Sequence, residues 1–431
     1  MSKALQPKVA ASSGNQVGKL GKFPPILAAT EIRDLSSLGS SQIARVSSLL
    51  LYSQTLSMMN LNTLKTPCLI LDLERVKRNA ARINDRVRAL GVGLRPHIKT
   101  HKSIEVARIQ TEGHSRAITV STLAEATAFA AHGFRDITYA VPIETGKIME
   151  AIELSKKCER LALITDDFDI PIQLNDSALK EGVKLDVFLK VDCGYHRCGV
   201  EPCSKEAFEI PRRITDSSNL RFAGILTHAG HSYHARPGAD LLKVARHERD
   251  LMLDLAAQLR TEGIEVPTIS IGSTPTFIHV DHLTGIDEVR AGNYIFFDAF
   301  QATLGSCKPT DCALTVLASV VHRDRCHRKV VIDAGAIALS KDRGAVEFDP
   351  DSGYGRVQDL DGTDLGLRVH SLSQEHGICK GVDDQLLEQL KVGTRVRILA
   401  NHSCLTASQH SLYHVLQGNQ IVDRWAIERG W

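Results

Sequence analysis

The sequence predicts an α/β protein in which a (β/α)8 barrel of the TIM type is followed by a mostly β C-terminal domain. Two observations lead to this fold class. From Thr66 to about Phe300, short apolar runs alternate with amphipathic stretches, and eight such strand–helix units can be counted. Beyond Phe300 the helical periodicity fades, and β-like runs are separated by turns rich in Gly, Asp and Ser.

The composition is that of a globular protein without a strong electrostatic bias. The chain of 431 residues carries 52 Lys and Arg against 50 Asp and Glu, which gives a net charge of +2. Such a balance disfavours nucleic acid or an acidic membrane as a partner, and no apolar run reaches the ~18 residues of a membrane helix. Ten cysteines without a Cys-x-x-Cys pair favour reduced thiols and a cytoplasmic location.

Residues 1–57 differ from the rest of the chain in composition. They contain eleven serines, six basic residues and two acids, and they lack clear periodicity. A transit peptide would be rich in Ser and Arg, but only two of the six basic residues are Arg. We therefore favour a disordered N-terminal extension, and divide the remainder into a barrel over residues 58–305 and a β-rich domain over residues 306–431.

The barrel is predicted from eight apolar runs that follow an early strand at 68–71 and a helix ending near Leu90. The early strand, within residues 66–72, is expected to pair with the C-terminal domain. The first barrel strand ends at Lys99, and the other seven are predicted at 117–121, 137–141, 161–165, 185–191, 222–227, 268–271 and 294–297. Between them, residues 123–132 and 241–259 have the clearest helical patterns.

In the C-terminal domain the β-like runs are short and lie between polar turns. They cover residues 313–321, 329–332, 366–370, 394–399 and 414–417. One helical pattern, at 383–390, interrupts them.

Lys99 is the most informative residue, because it ends an apolar strand within a basic run. Residues 95–102 read Arg-Pro-His-Ile-Lys-Thr-His-Lys. Most lysines are simply solvated, but neighbouring positive charge lowers an ammonium pKa, which a Schiff-base lysine requires. Lys102 is the rival position, and we expect it in the loop or helix that follows.

A second signal is the Gly272-Ser273-Thr274-Pro275 turn after the seventh strand. Barrels commonly bind phosphate in the loops after strands seven and eight. Gly272 allows close approach of an anion, and the hydroxyl groups of Ser273 and Thr274 can donate to it. Alone, such a loop more often has no function. Together with an amine at the end of the first strand, it indicates a covalently held phosphate cofactor, pyridoxal 5′-phosphate.

Other polar residues are expected at the same rim of the barrel. Arg197, in the segment 192–199 after the fifth strand, can face a phosphate, a carboxylate or the cofactor ring. Tyr233, after the sixth strand, is a candidate cofactor contact, whereas the histidines around it are interpreted as hydrogen-bonded loop residues. Tyr294, at the start of the predicted eighth strand, is a further candidate.

His402 and Cys404 directly follow the strand predicted at 394–399. If the backbone stays extended, residues two apart point to one side, so that these two side chains converge. Imidazole and thiolate together suit Zn²⁺ with open positions for water and substrate. A single His-x-Cys is a weak motif, and a third ligand is not identified.

Together these motifs resemble the D-serine dehydratase and D-threonine aldolase family, relatives of alanine racemase. The resemblance runs from about Leu61 to the C-terminus. Its opening segment is similar to residues 64–72, its Schiff-base segment to 95–102, its phosphate loop to 272–275 and the segment after that loop to 290–294. Leu226 departs from the pattern, because a tyrosine is expected there in eukaryotic dehydratases.

The resemblance implies an alanine racemase-type barrel that binds pyridoxal 5′-phosphate on Lys99, and a divalent metal on His402 and Cys404. The metal would be Zn²⁺, with Mn²⁺ as the alternative. Aldolase members carry a carboxylate in place of the cysteine, so Cys404 favours the dehydratases. The implied reaction is loss of water from a D-β-hydroxy amino acid in a homodimeric lyase. The alternatives are retro-aldol cleavage to glycine and an aldehyde, and a non-catalytic protein that binds pyridoxal phosphate.

Overall fold

The computed structural model describes residues 59–431. The expectation for residues 1–57 lies outside these described residues. These described residues form one compact unit. Among the described residues, no helix combines the length and the apolarity that crossing a bilayer requires.

Eight parallel strands form the barrel, and an earlier strand lies outside it. The early strand β1 is Cys68–Asp72; the barrel strands are β2 Gly93–Leu94, β3 Ile118–Val120, β4 Asp136–Pro142, β5 Arg160–Thr165, β6 Leu185–Lys190, β7 Leu220–Leu226, β8 Ile269–Ile271 and β9 Glu288–Val289. Their order is β2-β9-β8-β7-β6-β5-β4-β3. A parallel bridge between His97 and Thr119 joins the chain after β2 to β3. The sheet therefore closes, which confirms the predicted fold class.

Between residues 59 and 305, the described part of the chain contains nine α-helices. They are α1 Leu73–Leu90, α2 Ile104–Gln110, α3 Leu123–Ala130, α4 Ile148–Ser155, α5 Ile170–Glu181, α6 Glu206–Asp216, α7 Ala239–Thr261, α8 Thr274–His279 and α9 Ala299–Thr303. The first has clear end signals: the Asp72 carboxylate accepts from the Arg75 N–H, and Gly91 ends the helix at φ 67°.

The second sheet is mainly antiparallel. Its later strands are β10 Leu314–Asp324, β11 Lys329–Ile332, β12 Arg356–Gln358, β13 Asp364–Leu372, β14 Gly377–Lys380, β15 Arg395–Leu399, β16 Leu412–Gln417 and β17 Gln420–Ala426, with helices α10 Ala336–Leu339, α11 Asp384–Gln389 and α12 Ser403–Ser408. Because β11 pairs with both β14 and β10, six of these strands form a closed ring.

Strand β1 belongs to this second sheet although it precedes the barrel in the chain. It runs antiparallel to β10 and parallel to β16. Helix α1 begins directly after it, at Leu73. The chain therefore passes from the sheet into the barrel without a linker.

The structure corrects the predicted eighth strand. Residues 294–297 are not a strand; Asn293–Ile295 is a 3₁₀ turn, and the eighth strand is Glu288–Val289. The apolar run at 294–297 was interpreted as a strand, but these residues are apolar because Tyr294 and its neighbours are fully buried. The actual strand was not predicted because it contains the charged Glu288. The Glu288 carboxylate is buried as an ion pair with Arg95 at 2.8 Å.

The first barrel strand is also shorter than predicted. It ends at Leu94, and Lys99 lies five residues later in the 3₁₀ turn Ile98–Thr100. Pro96 separates the two, and the His97 side chain accepts from the Lys99 N–H at 3.4 Å. Lys99 therefore lies in a turn beyond the carboxyl end of the strand.

Candidate active site

A cavity of about 770 Å³ opens at the carboxyl end of the barrel strands. This is the end at which barrel enzymes place their active sites, and the volume is within the range of small-molecule sites. Both parts of the fold contribute to its walls. Barrel loops supply Lys99, Arg197 and Ser273, and the second sheet supplies Asp342 and His402.

Lys99 lines the cavity and is accessible from it, although protein surrounds its amine. Burial lowers the pKa of Lys99 from its ordinary value, and the positive charge of Arg197 lowers it further, while Cys404 acts in the opposite direction. Lys102, the rival lysine, is paired instead with the buried carboxylate of Glu125. The geometry therefore favours Lys99 as the reactive amine.

Basic groups dominate the floor of the cavity. Lys190, the last residue of β6, is only 4% exposed, and its Nζ donates to the Val191 carbonyl at 2.9 Å. Arg290 donates to Ser270 Oγ at 2.5 Å and to the Thr227 carbonyl, and burial lowers its pKa to about 10. His97 and His228 also line the cavity, but burial keeps the pKa of each well below its ordinary value, so that they contribute as neutral imidazoles. Such a surface suits an anionic ligand.

The Gly272 turn is anchored from beneath by a buried carboxylate. The Gly272 N–H donates to Glu248 Oε1 at 3.1 Å, and Ala229 N–H donates to the same oxygen at 3.0 Å. With φ at 110°, Gly272 adopts a conformation that favours glycine. Its N–H is engaged, but the hydroxyls of Ser273 and Thr274 line the cavity and can donate to an anion.

The remaining predicted cofactor contacts divide into two groups. Arg197 lines the cavity, with its guanidinium 5.2 Å from the centre of the Tyr195 ring. Tyr233 also lines it and packs edge-on against Phe300 at 5.5 Å. Tyr294 does not line it, and its buried phenol faces Gln110 instead. Only the Tyr294 N–H approaches this region, donating to Thr274 Oγ1 at 3.3 Å.

His402 and Cys404 lie on the wall of the cavity that faces Lys99. Cys404 Sγ is 3.3 Å from Oγ1 of Thr100, the residue after Lys99. The pair thus meets the barrel of its own chain. Their convergence does not arise from extended backbone, as the sequence suggested, because His402 is the N-cap of helix α12.

The two side chains influence each other's ionisation. Although burial opposes the charged form, the adjacent His402 lowers the pKa of Cys404 to about 7. Burial also opposes a charged His402, but Cys404 and Asp342 raise its pKa well above the ordinary value. A thiolate beside an imidazole forms a donor pair that suits zinc and other soft or borderline metals.

Sequence reasoning missed several residues of this cavity, and Lys190 and Asp342 are the two that bear most on its chemistry. Lys190 could have been found, since it follows the apolar residues Val187–Leu189 at the end of a buried parallel strand, where a charged side chain must face the cavity or a buried partner. Asp342, whose carboxylate is 2.7 Å from His402 Nδ1, could not, because it lies in a loop sixty positions earlier.

Comparison with known proteins places the chain in a family. Residues 71–299 match the family described as alanine racemase, N-terminal domain, and residues 313–416 match the putative serine dehydratase domain. D-threo-3-hydroxyaspartate dehydratase of Delftia sp. (strain HT23) is 38% identical over 86% of this chain and 98% of its own. The chain belongs to the D-serine dehydratase and D-threonine aldolase family.

Other members of this family show its range of reactions. D-serine dehydratase of Dictyostelium discoideum is 35% identical over 86% of this chain and 98% of its own. D-threonine aldolase of Arthrobacter sp. is 26% identical over 84% of this chain and 92% of its own. The family therefore contains dehydratases and aldolases, and both are lyases.

Solved structures agree with this assignment. That of the Delftia sp. HT23 dehydratase has a TM-score of 0.83 and 38% identity, covering 86% of this chain and 100% of its own. Two further structures are alanine variants of the same enzyme, one at a histidine and one at a cysteine, and the cysteine variant is described as metal-free. The two replaced residues are two positions apart, as are His402 and Cys404 here.

Proposed function

We propose that this protein is a lyase, dependent on pyridoxal 5′-phosphate and a metal, that removes water from a D-β-hydroxy amino acid. The products would be a 2-oxo acid and ammonia. One observation carries the proposal: an accessible lysine and a His–Cys pair meet in one cavity, with Cys404 Sγ 3.3 Å from the residue that follows Lys99.

The residues of the cavity fit pyridoxal phosphate. The Lys99 amine can bind its aldehyde, and the lowered pKa of Lys99 favours the neutral amine that this reaction requires. The hydroxyls of Ser273 and Thr274 can donate to its phosphate. The basic floor around Lys190 and Arg290 suits its negative charge. When bound, pyridoxal phosphate supplies an electron sink for charge that develops at the substrate Cα.

The protein's own groups would then perform two tasks. The free Lys99 amine would be the group placed to take the Cα proton as a general base. His402 and Cys404 would hold a metal that acts as a Lewis acid towards the β-hydroxyl group and makes it a better leaving group. Since Lys99 and the His402–Cys404 pair lie in one cavity, the base and the metal could act on the same bound substrate.

A product assay tests the reaction. Purified protein is incubated with D-serine, D-threonine and 3-hydroxy-D-aspartate, with and without a chelator. The proposal expects 2-oxobutanoate from D-threonine and loss of this activity with the chelator. Acetaldehyde and glycine would instead establish the aldolase reaction. A yellow protein that holds no metal and acts on none of the three would be a pyridoxal phosphate-binding protein without catalysis.

Two variants separate the roles of the residues. Lys99→Ala should lose both the visible absorbance of the bound cofactor and turnover. His402→Ala should keep the absorbance and lose the chelator-sensitive activity. Borohydride reduction followed by peptide mapping should place the cofactor on Lys99, and an adduct on Lys102 or Lys190 would contradict the assignment.

We also propose Zn²⁺ as the metal, since a thiolate ligand favours it over Mn²⁺. Metal analysis of the purified protein decides between them. A homodimer and a cytoplasmic location complete the proposal. The location is supported by ten cysteines without a disulfide, and the dimer by the resemblance to the family alone. Light scattering tests the dimer.

A further inference from the structure

A loop of the second sheet reaches into the cavity and contacts the His402 ring. Asp342 lies in this loop, and its Oδ2 is 2.7 Å from His402 Nδ1. Asp342 also lines the cavity. Because Nδ1 is engaged in this way, the nitrogen of the ring that remains for another partner is Nε2.

The loop is constructed so that this carboxylate has little freedom. The second oxygen, Oδ1, accepts from the Gly344 N–H at 2.6 Å. Asn401, the residue before His402, donates from Nδ2 to the Asp342 carbonyl at 3.4 Å and to the Gly353 carbonyl at 2.9 Å. Gly344 has a φ of 59°, and a Cβ there would lie 3.1 Å from Asn401. The loop is therefore fastened to the same backbone that presents His402.

We propose that Asp342 is the positioning residue of the metal site, which orients His402 so that Nε2 faces the metal. A carboxylate only accepts hydrogen bonds, so Nδ1 keeps its proton, and Nε2 is the ring nitrogen that gives up its proton when a metal binds. Each oxygen of Asp342 accepts from a protein donor, and Oδ2 contacts Nδ1 rather than Nε2, so we place Asp342 behind the imidazole and not among the ligands. Such partners of metal-binding histidines contribute to metal affinity. This inference rests on the proposed metal function of His402 and Cys404.

The test is the metal affinity of the full-length protein, measured by competition between Zn²⁺ and a chromogenic chelator. Asp342→Ala should bind Zn²⁺ about 10–100-fold more weakly than the wild type. Asp342→Asn retains an oxygen that can accept from Nδ1 and should lie between the two. Asp351→Asn removes the same charge from an exposed site in the following turn, and its affinity should equal that of the wild type.

Substitution with Co²⁺ separates positioning from ligation. At saturating Co²⁺, the visible bands of Asp342→Ala should match those of the wild type in position and intensity, because the ligand set is unchanged. A changed band pattern would show that Asp342 is itself a ligand and would overturn the proposal. Unchanged Zn²⁺ affinity in both Asp342 variants would overturn it as well.

Two controls keep the outcomes distinct. Thermal unfolding of the metal-free proteins shows whether Asp342→Ala folds, and if it does not, Asp342→Asn decides the question alone. If the wild type binds no metal, the proposed function itself fails and the role of Asp342 fails with it. If the wild type binds metal and the variants bind equally well, only the role of Asp342 is refuted.

Discussion

Replacement of Arg95 by Met should strongly destabilise the protein, because Arg95 is the ion-pair partner of the buried Glu288 and also pairs with the partly exposed Asp136. Its side chain donates to Glu288 at 2.8 Å and to both oxygens of Asp136 at 2.7 and 3.1 Å, and it is only 5% exposed. Glu288 also accepts from Ser270, which in turn accepts from Arg290 on the cavity floor. The network therefore connects the interior of the barrel to the candidate site.

The magnitude follows from the charge that is left behind. Removing one partner of a buried ion pair costs about 3–5 kcal/mol, because the other partner stays buried without compensation. With a urea slope of about 3 kcal/mol/M, at the upper end for small domains, the unfolding midpoint should fall by about 1–1.7 M. The exposed pair of Arg88 and Asp85 is the matched control, and Arg88→Met should cost less than about 1 kcal/mol.

Urea unfolding followed by circular dichroism measures both variants. The double variant Arg95→Met/Glu288→Gln should recover part of the loss, since it removes the buried carboxylate that Arg95→Met leaves without its ion pair; Asp136 is 32% exposed and keeps Arg160 at 3.8 Å. The reasoning is refuted if Arg95→Met and Arg88→Met shift the midpoint equally. It is also refuted if the double variant is less stable than Arg95→Met.

Three further predictions concern titratable groups of the site. In chelator-treated protein, alkylation of Cys404 by iodoacetamide should increase with pH and be half-maximal near pH 7, since the thiolate reacts; peptide mapping measures it, and added Zn²⁺ should suppress it. Burial raises the pKa of Glu248, so its contribution to stability is greatest at low pH and is lost as the pH rises. The melting temperature of Glu248→Gln minus that of the wild type should therefore be larger at pH 8 than at pH 5. Burial lowers the pKa of Lys99, so its ammonium costs stability as the pH falls; Lys99→Met should raise the melting temperature of the cofactor-free protein at pH 7 and raise it less at pH 10.

The barrel strands that the sequence predicted well are those buried on both faces. Arg160–Thr165 and Leu185–Lys190 appear as nearly continuous apolar runs because helices cover one side and the barrel interior the other. The eighth strand has two residues, one of them the charged Glu288. Such a strand has no periodicity, and only the contact of Glu288 with Arg95, far away in the sequence, makes its burial possible.

The candidate site shows the same division between local and distant information. Lys99 and the His402–Cys404 pair could be found because each lies just after a strand, where barrel sites and loop sites concentrate. The backbone was predicted incorrectly at Lys99, which lies in a 3₁₀ turn, and at Cys404, which lies in helix α12, whereas His402 is extended as expected. Asp342 could not be found, because only the folded loop brings it to His402.

The position of the His402–Cys404 pair depends on the contact between barrel and second sheet. Asp298, at the end of the barrel and buried, accepts from the Ser403 N–H at 3.0 Å and from Asn293 Nδ2 at 2.8 Å. The Tyr413 hydroxyl, on β16, donates to the His101 carbonyl at 2.7 Å, two residues after Lys99. The hydrogen bonds of Ser403 and Tyr413 cross from one part of the fold to the other, and each ends beside a proposed functional group. Neither part of the fold alone contains both the lysine and the metal pair, so the proposed chemistry requires the two together.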